Sequence, residues 1–228
     1  MADSPTRVAV AWSGGKDATT LLDRLLARED CAVVELFTTA IEDGGPTTTH
    51  RVPRELMGRQ ADALGLPIRF VDLPADRSTE AYEAALDAVF DDYERQGVDR
   101  VAYADLFLEE IREYREGRLA DRDVEGWWPL WGTDTADLAR EFVDAGFAAT
   151  VTCVDADALD ASFAGRRYDE SFLAALPDDV DPCGEHGEFH TFVHDGPPFR
   201  EPVPVDVGES HTREASHGSM TMHYRELE

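Results

Sequence analysis

Apolar and polar positions alternate along the first half of the chain in blocks of two kinds. Val8 to Trp12 is a short apolar run that stops at Ser-Gly-Gly, the pattern of a buried strand. From Ala18 to Arg28, leucines at 21, 22, 25 and 26 fall on one helical face. Cys31 to Thr39 predicts a second strand, and Val52 to Leu64 a second helix stopped by Gly65 and Pro67. Ile68 to Leu73 predicts a third strand. Ser78 is placed to cap a helix that runs to Arg95 and stops at Gly97. Val98 to Ala104 predicts a fourth strand, and Asp105 to Leu119 a charged helix.

Apolar runs alternating with helical periods predict an α/β fold, a parallel sheet with helices flanking it. Ligands of such sheets sit beyond the carboxyl ends of the strands, near the point where strand order reverses. The loops after Trp12, Thr39 and Tyr103 are therefore the places to look for chemistry.

The pattern changes at Gly126 to Thr133, which carries three of the four tryptophans. A helix from Asp134 to Ala145 and a strand from Phe147 to Val154 follow; the chain then reads as irregular until the stretch Asp181 to Phe192. The polar C-terminal stretch carries His211, His217 and His223, spaced by six, which fits no standard zinc pattern and predicts a polar strand or tail. The expected organisation is a nucleotide-binding unit over 1–125 and a smaller α+β substrate unit over 126–228. Trp127, Trp128 and Trp131 read first as packing residues, with a stacking role as the alternative.

Composition narrows the class. Of 228 residues, 43% are hydrophobic, enough for a real core. No apolar run approaches the ~20 residues of a membrane span. The polar start, Met1 to Arg7, gives no sign of a signal peptide. Cys31, Cys153 and Cys183 are far apart and form no C-x-x-C pair. A soluble cytoplasmic protein is expected.

Charge changes the picture more. The chain has 21 basic and 48 acidic residues, a formal net charge of −27. Only one of the basic residues is a lysine, Lys16. High acid with almost no lysine resembles the style of extreme halophiles. At ~1 M salt the Debye length is about 3 Å, so the global field says little about partners. With no RNA-binding appendage in view, nucleic acid is not an expected partner. A lysine that survives such a bias is one that arginine cannot replace.

Lys16 lies in Ser13-Gly14-Gly15-Lys16-Asp17, directly between the first strand and the first helix. Two glycines let the backbone come close to a ligand. The open N–H groups of the helix start then favour an anion. Lys16 adds a point charge, Ser13 and Thr19 add hydroxyls, and Asp17 is a candidate Mg²⁺ ligand. A lone Gly-Gly would be an ordinary turn; the strand–SGGKD–helix order and the sole lysine point to phosphate. The loop is neither a Walker A nor a G-x-G-x-x-G sequence. A second segment, Cys183-Gly184-Glu185-His186-Gly187-Glu188-Phe189-His190-Thr191, sets two carboxylates three apart in a glycine-rich turn. Alone, it would read as a hairpin entry with solvated acids.

The first motif resembles the PP-loop of the ATP pyrophosphatase superfamily, usually SGGKDS, with Ala18 in place of the last serine and Thr19 or Thr20 as candidates to supply its hydroxyl. The second is similar to the GEGGEYET-type segment of the diphthine–ammonia ligase family. His50-Arg51-Val52-Pro53, Gln60-Ala61 with Leu64-Gly65-Leu66-Pro67, Pro129-Leu130-Trp131 and Asp195-Gly196-Pro197-Pro198-Phe199 extend the resemblance from about Arg7 to Val207.

The resemblance implies a Rossmann-like (HUP-type) fold and an ATP-dependent amidation. A carboxylate, that of diphthine on elongation factor 2, is adenylated; ammonia then displaces AMP. On this analogy Ser13, Gly14, Gly15, Lys16, Asp17, Ala18, Thr19 and Thr39 bind Mg·ATP. Lys16, Asp105, Glu185 and Glu188 are the catalytic candidates. His50, Glu109, Arg112, Trp131, Gly184, Glu185, Glu188 and His190 are the candidates for the acceptor or ammonium pocket, with Asp17 on the metal.

One stretch departs from the family. Diphthine ligases resemble G-x-I-x-S-x-Y-x-R-x-R after the fourth strand, where this chain has residues 104–116 as ADLFLEEIREYRE. Helical spacing puts Asp105, Glu109 and Arg112 on one face; the other carboxylates there read as salt-bridged surface. A sister enzyme acting on a tRNA base or a small carboxylate, and a non-catalytic nucleotide sensor, stand as alternatives. The sequence leaves a homo-oligomer open.

Overall fold

The computed structural model describes residues 4–48, 51–73, 78–214 and 220–228. His50, His217 and the first three residues lie outside the described residues.

The first half is built from β1 (Thr6–Ala11), α1 (Lys16–Leu26), β2 (Cys31–Ile41), α2 (Arg54–Leu64), β3 (Ile68–Leu73), α3 (Thr79–Gln96), β4 (Arg100–Ala102), α4 (Glu109–Leu119) and β5 (Glu125–Trp127). The five strands pair in parallel in the order β3-β2-β1-β4-β5. Val8, Ala9 and Val10 are wholly buried, which is why β1 reads as a continuous apolar run. Order reverses between β1 and β4, so the crevice forms beyond their carboxyl ends.

Local signals set the helix limits. The Ser78 hydroxyl accepts from Ala81 N at 3.3 Å, capping α3. Gly65 and Gly97 stop α2 and α3 in the left-handed region, at φ 70° and 67°. Leu21, Leu22 and Leu25 of α1 are buried, each contributing about 1.5–3 kcal/mol relative to exposure.

The second half contributes α5 (Thr135–Asp144), β6 (Ala148–Asp155), a one-turn α6 (Glu170–Leu173), β7 (Phe189–Asp195), β8 (Val207–Glu214) and β9 (Thr221–Leu227). Its strands form an antiparallel sheet in the order β7-β6-β9-β8. β6 is almost wholly buried, whereas β8 is a polar edge. The polar histidine-bearing stretch is thus a pair of strands. His211 bonds Glu226 at 2.6 Å and His223 bonds Thr212 at 3.0 Å. One hydrophobic core runs through both sheets, joining Val8, Leu21 and Leu56 to Phe172, Phe189 and Phe192. No helix among the described residues is long and apolar enough to cross a membrane.

Two element readings need correction. The charged helix starts at Glu109, not Asp105. Leu106 is pinned from both sides, its N–H to Glu185 and its carbonyl to Gly132 N, so residues 105–108 form a strap rather than a first turn. Asp105 therefore does not share a helix face with Glu109 and Arg112. The short β5 overlaps the start of the tryptophan-rich stretch, where three residues carry too little periodicity to signal a strand.

Candidate active site

The loop after β1 is shaped by what lies behind it. Gly14 has φ +75°, and a Cβ there would come within 2.9 Å of Gln60 Oε1 and 3.0 Å of Met57 Sδ. Only glycine fits that turn. Its carbonyl accepts from Val193 N at 2.9 Å and from Gln60 Nε2 at 3.0 Å. Gln60, wholly buried on α2, also donates to the Val193 carbonyl at 2.6 Å and accepts from Trp12 Nε1 at 2.8 Å. Lys16 N donates to Thr191 Oγ1 at 3.1 Å. The loop is thus held between α2 and β7.

Lys16 opens α1 and is 4% exposed. Its ammonium donates to Asp17 Oδ2 at 2.7 Å and to the Cys183 carbonyl, and lies 5.5 Å from the Phe189 ring centre. Burial alone would lower its pKa; Asp17, Cys183 and Glu185 outweigh burial and hold it above the ordinary value. The single lysine is therefore a fixed positive charge.

The segment that meets it is a turn built by acids. Asp181 Oδ1 accepts from Cys183 N at 2.8 Å and Glu185 N at 3.3 Å. Both oxygens of Glu188 are taken, by Asp181 N at 3.1 Å and His186 N at 3.0 Å. Glu185 Oε1 accepts from Leu106 N at 2.7 Å. Burial chiefly pushes the Glu185 carboxyl up, to about 7, helped by Asp17 and Asp105 and opposed by Leu106 N–H and Lys16. His190 is pushed down to about 4 by burial and by Lys16, so its ring is neutral near pH 7.

These parts enclose one cavity of about 450 Å³ at the carboxyl ends of β1 and β2 and beyond β4, a usual size for a small-molecule site. Ser13, Gly15, Lys16, Asp17, Ala18, Thr39, Asp105, Gly184, Glu185 and His190 line it. Gly14 and Thr19 stand behind the wall. The Thr19 and Thr20 hydroxyls bond the Gly15 and Lys16 carbonyls at 2.8 and 2.9 Å, so both are spent inside α1. Glu188, Glu109, Arg112 and Trp131 are not in the lining. Arg112 pairs with Glu116 at 2.7 Å and lies between the Trp128 and Trp131 rings. Asp105 instead pairs with Arg115 and accepts from Trp128 Nε1 at 3.0 Å. Among the described residues no three His, Cys, Asp or Glu side chains gather as a metal site.

Three residues escaped the sequence reading. Gln60 stood inside a family-like dipeptide with no role attached. Thr48 meets the Thr39 hydroxyl at 2.7 Å across a loop that spacing does not reveal. Arg115 lies one turn beyond Arg112, and the true helix start decides which of the two reaches the cavity.

A parallel five-stranded sheet with a glycine–lysine loop at its switch point defines a Rossmann-like α/β protein. More specifically, the chain belongs to the diphthamide synthase family: the model of the diphthamide synthase N-terminal domain matches residues 6–119 and that of the C-terminal domain residues 134–224. No curated protein matches it. Among solved structures it is similar to the U34-tRNA thiolase NcsA of Methanococcus maripaludis, at 14% identity and a TM-score of 0.36 over 62% of this chain. It spans 57% of that thiolase. A predicted subunit of a tRNA methyltransferase from Methanocaldococcus jannaschii aligns at 15% identity and a TM-score of 0.41, covering 87% of this chain and 100% of the other.

Proposed function

We propose that this protein is an ATP-dependent carbon–nitrogen ligase that adenylates a carboxylate, that of diphthine on elongation factor 2, and passes ammonia to it. The carrying observation is the bond between Lys16 and the Cys183 carbonyl. It brings the phosphate-type loop and the acidic turn to one cavity.

In this reading the loop amides and Lys16 hold the β and γ phosphates. A carboxylate oxygen of the acceptor attacks the α-phosphorus, and pyrophosphate leaves. Lys16 strengthens its hold as charge gathers on the leaving group. Ammonium gives a proton to Glu185, whose carboxyl is pushed up to about 7, a value suited to a general base near neutrality. Ammonia attacks the acyl carbon, AMP departs with the carboxylate oxygen, and the second proton shed as the nitrogen becomes an amide passes to solvent. Neutral His190 and the Gly184 backbone line the place where the acceptor meets ammonia. Mg²⁺ suits a site with one protein carboxylate, because it keeps several ligands from water and phosphate; Asp17 would be that carboxylate. The 1–125 and 126–228 units divide the work between nucleotide and acceptor.

The test supplies ATP, ammonium and unamidated elongation factor 2 in concentrated salt. The expected result is AMP, pyrophosphate and the mass change of a carboxylate-to-amide conversion on the factor. AMP release with an unchanged factor would leave a ligase for another acceptor. Intact ATP bound without turnover would overturn the ligase reading in favour of a sensor.

A further inference from the structure

We propose that Tyr168 is a positioning residue for the lysine of the phosphate-type loop: through the turn at Pro182 and Cys183 it aims the Lys16 ammonium into the cavity. This deepens the ligase reading, in which Lys16 grips the departing pyrophosphate.

Tyr168 is 1% exposed. Its ring packs against Phe142, Phe172 and Phe189, at centre distances of 5.6, 5.3 and 6.0 Å. These neighbours are all phenylalanines, so one more phenylalanine would serve packing alone. A buried hydroxyl costs free energy unless it is bonded, and this one donates to the Pro182 carbonyl at 2.7 Å. Burial chiefly pushes the phenol above its ordinary pKa range, so it stays a donor. The Tyr168 N–H donates to the Ala149 carbonyl at 2.9 Å, which anchors the residue to β6.

The hydroxyl bond lands on a turn organised by Asp181. Its side chain accepts from Cys183 N and its carbonyl from Gly184 N, both at 2.8 Å. The two peptide planes between Pro182 and Gly184 are thereby held on their N–H side. Their oxygens go to two partners, the Pro182 oxygen to Tyr168 and the Cys183 oxygen to Lys16. Each plane is rigid, so holding the Pro182 oxygen limits where the Cys183 oxygen points.

Lys16 follows that direction. An ammonium has three donors. Two are taken, by Asp17 and the Cys183 carbonyl. The Phe189 and Tyr168 rings stand 5.5 and 5.9 Å from Nζ, where they favour the charge and offer no lone pair. One donor is left for the cavity, which Lys16 lines and Tyr168 does not. Tyr168 therefore acts on the ligand only through the turn and the lysine.

The single lysine makes the test direct, because lysine isotope-labelled at Cε gives one resonance from the whole protein. Tyr168→Phe keeps the ring and removes the hydroxyl bond. Without nucleotide, the Lys16 resonance of this variant is expected to move toward that of free lysine. Pyrophosphate with Mg²⁺ should bind about tenfold more weakly, and kcat for AMP release should fall by a similar factor. Affinity for a non-hydrolysable ATP analogue should stay within about twofold, because the lysine acts most on the charge of the leaving group. Phe163→Leu is the control. Its ring packs on Phe172 at 5.7 Å, so the change loosens the same cluster away from the hydroxyl. It should lower the melting temperature and leave the resonance and the pyrophosphate affinity at wild-type values. A Tyr168→Phe protein with the wild-type resonance and pyrophosphate affinity overturns the proposal. So does an equal change in Phe163→Leu, which would reduce Tyr168 to packing. A wild type that releases no AMP defeats the ligase reading, and the resonance and the pyrophosphate titration still decide on Tyr168.

Discussion

Glu185 and Leu106 belong to turns at the ends of different sheets, and a 2.7 Å bond joins the carboxylate of one to the backbone N–H of the other. That bond places a partly buried acid over the cavity formed by the first sheet. It also opposes the burial that lifts the Glu185 pKa, which still reaches about 7.

A pH dependence with two opposite signs is expected. Glu185 must lose its proton to act as a base, so the rate of amide formation should rise as pH passes about 7. Stability should move the other way. The folded state binds this proton more tightly than the unfolded chain, so the contribution is full below the ordinary carboxylate range and is lost as pH rises through about 7. Glu185→Gln should flatten both curves, in a rate profile and in denaturant midpoints measured across pH. A wild-type rate that is level through neutrality would refute the base.

Lys16→Ala should reduce AMP release by about 10²-fold or more, because the charge opposite the leaving pyrophosphate is gone. Lys16→Arg should fail as well, since the pocket between Asp17 and the Cys183 carbonyl fits a compact ammonium. The alanine variant also leaves that carbonyl without its donor, a cost of about 1–3 kcal/mol visible as a lower melting temperature. Near-normal AMP release from the arginine variant would remove the role given to the sole lysine.

Glu188 and Glu185 should behave differently despite their spacing of three. Glu188 holds the turn through Asp181 N and His186 N. Glu188→Gln keeps one good acceptor and turns an amide against the other N–H, so it should cost about 1–3 kcal/mol in urea unfolding. The pH profile of the amide-forming rate, measured on folded protein, should keep its wild-type shape. A displaced profile would show Glu188 acting in the chemistry.

Gln60→Leu should be among the most damaging changes outside the cavity wall. It strands Trp12 Nε1 and removes the amide's bonds to the Gly14 and Val193 carbonyls, of which the Gly14 carbonyl keeps its bond from Val193 N. Each buried group left unpaired costs about 1–3 kcal/mol. Nucleotide affinity should fall with stability, because the same bonds shape the loop; a stable variant with normal affinity would show that the loop holds its form alone.

Much of the fold was legible because burial on both faces writes itself into the sequence. β1 carries an unbroken apolar run from Val8 to Ala11, β6 is buried from Ala148 to Val154, and the stop signals at Gly65 and Gly97 mark real helix ends. The loop at Lys16 was legible because composition bias isolates it. Less visible was everything decided by long-range contact. Asp105 and Arg115 meet only because Leu106 is held by Glu185 and Gly132 and the helix starts late. Arg112 looked equivalent to Arg115, and only three-dimensional packing sends one to the tryptophans and the other to the cavity. Gln60 carries no charge and sits in a helix, so nothing local distinguishes it from a surface glutamine.

The Gly14 carbonyl and the Lys16 amide both find partners on β7, at Val193 and Thr191. A fragment ending after β5 would keep all five parallel strands and every residue of the SGGKD motif. It would still be missing the template against which that motif is moulded. Grafting the first half alone onto another acceptor domain should therefore transplant a nucleotide fold without a nucleotide site, unless the new partner brings its own strand to the same edge of the loop.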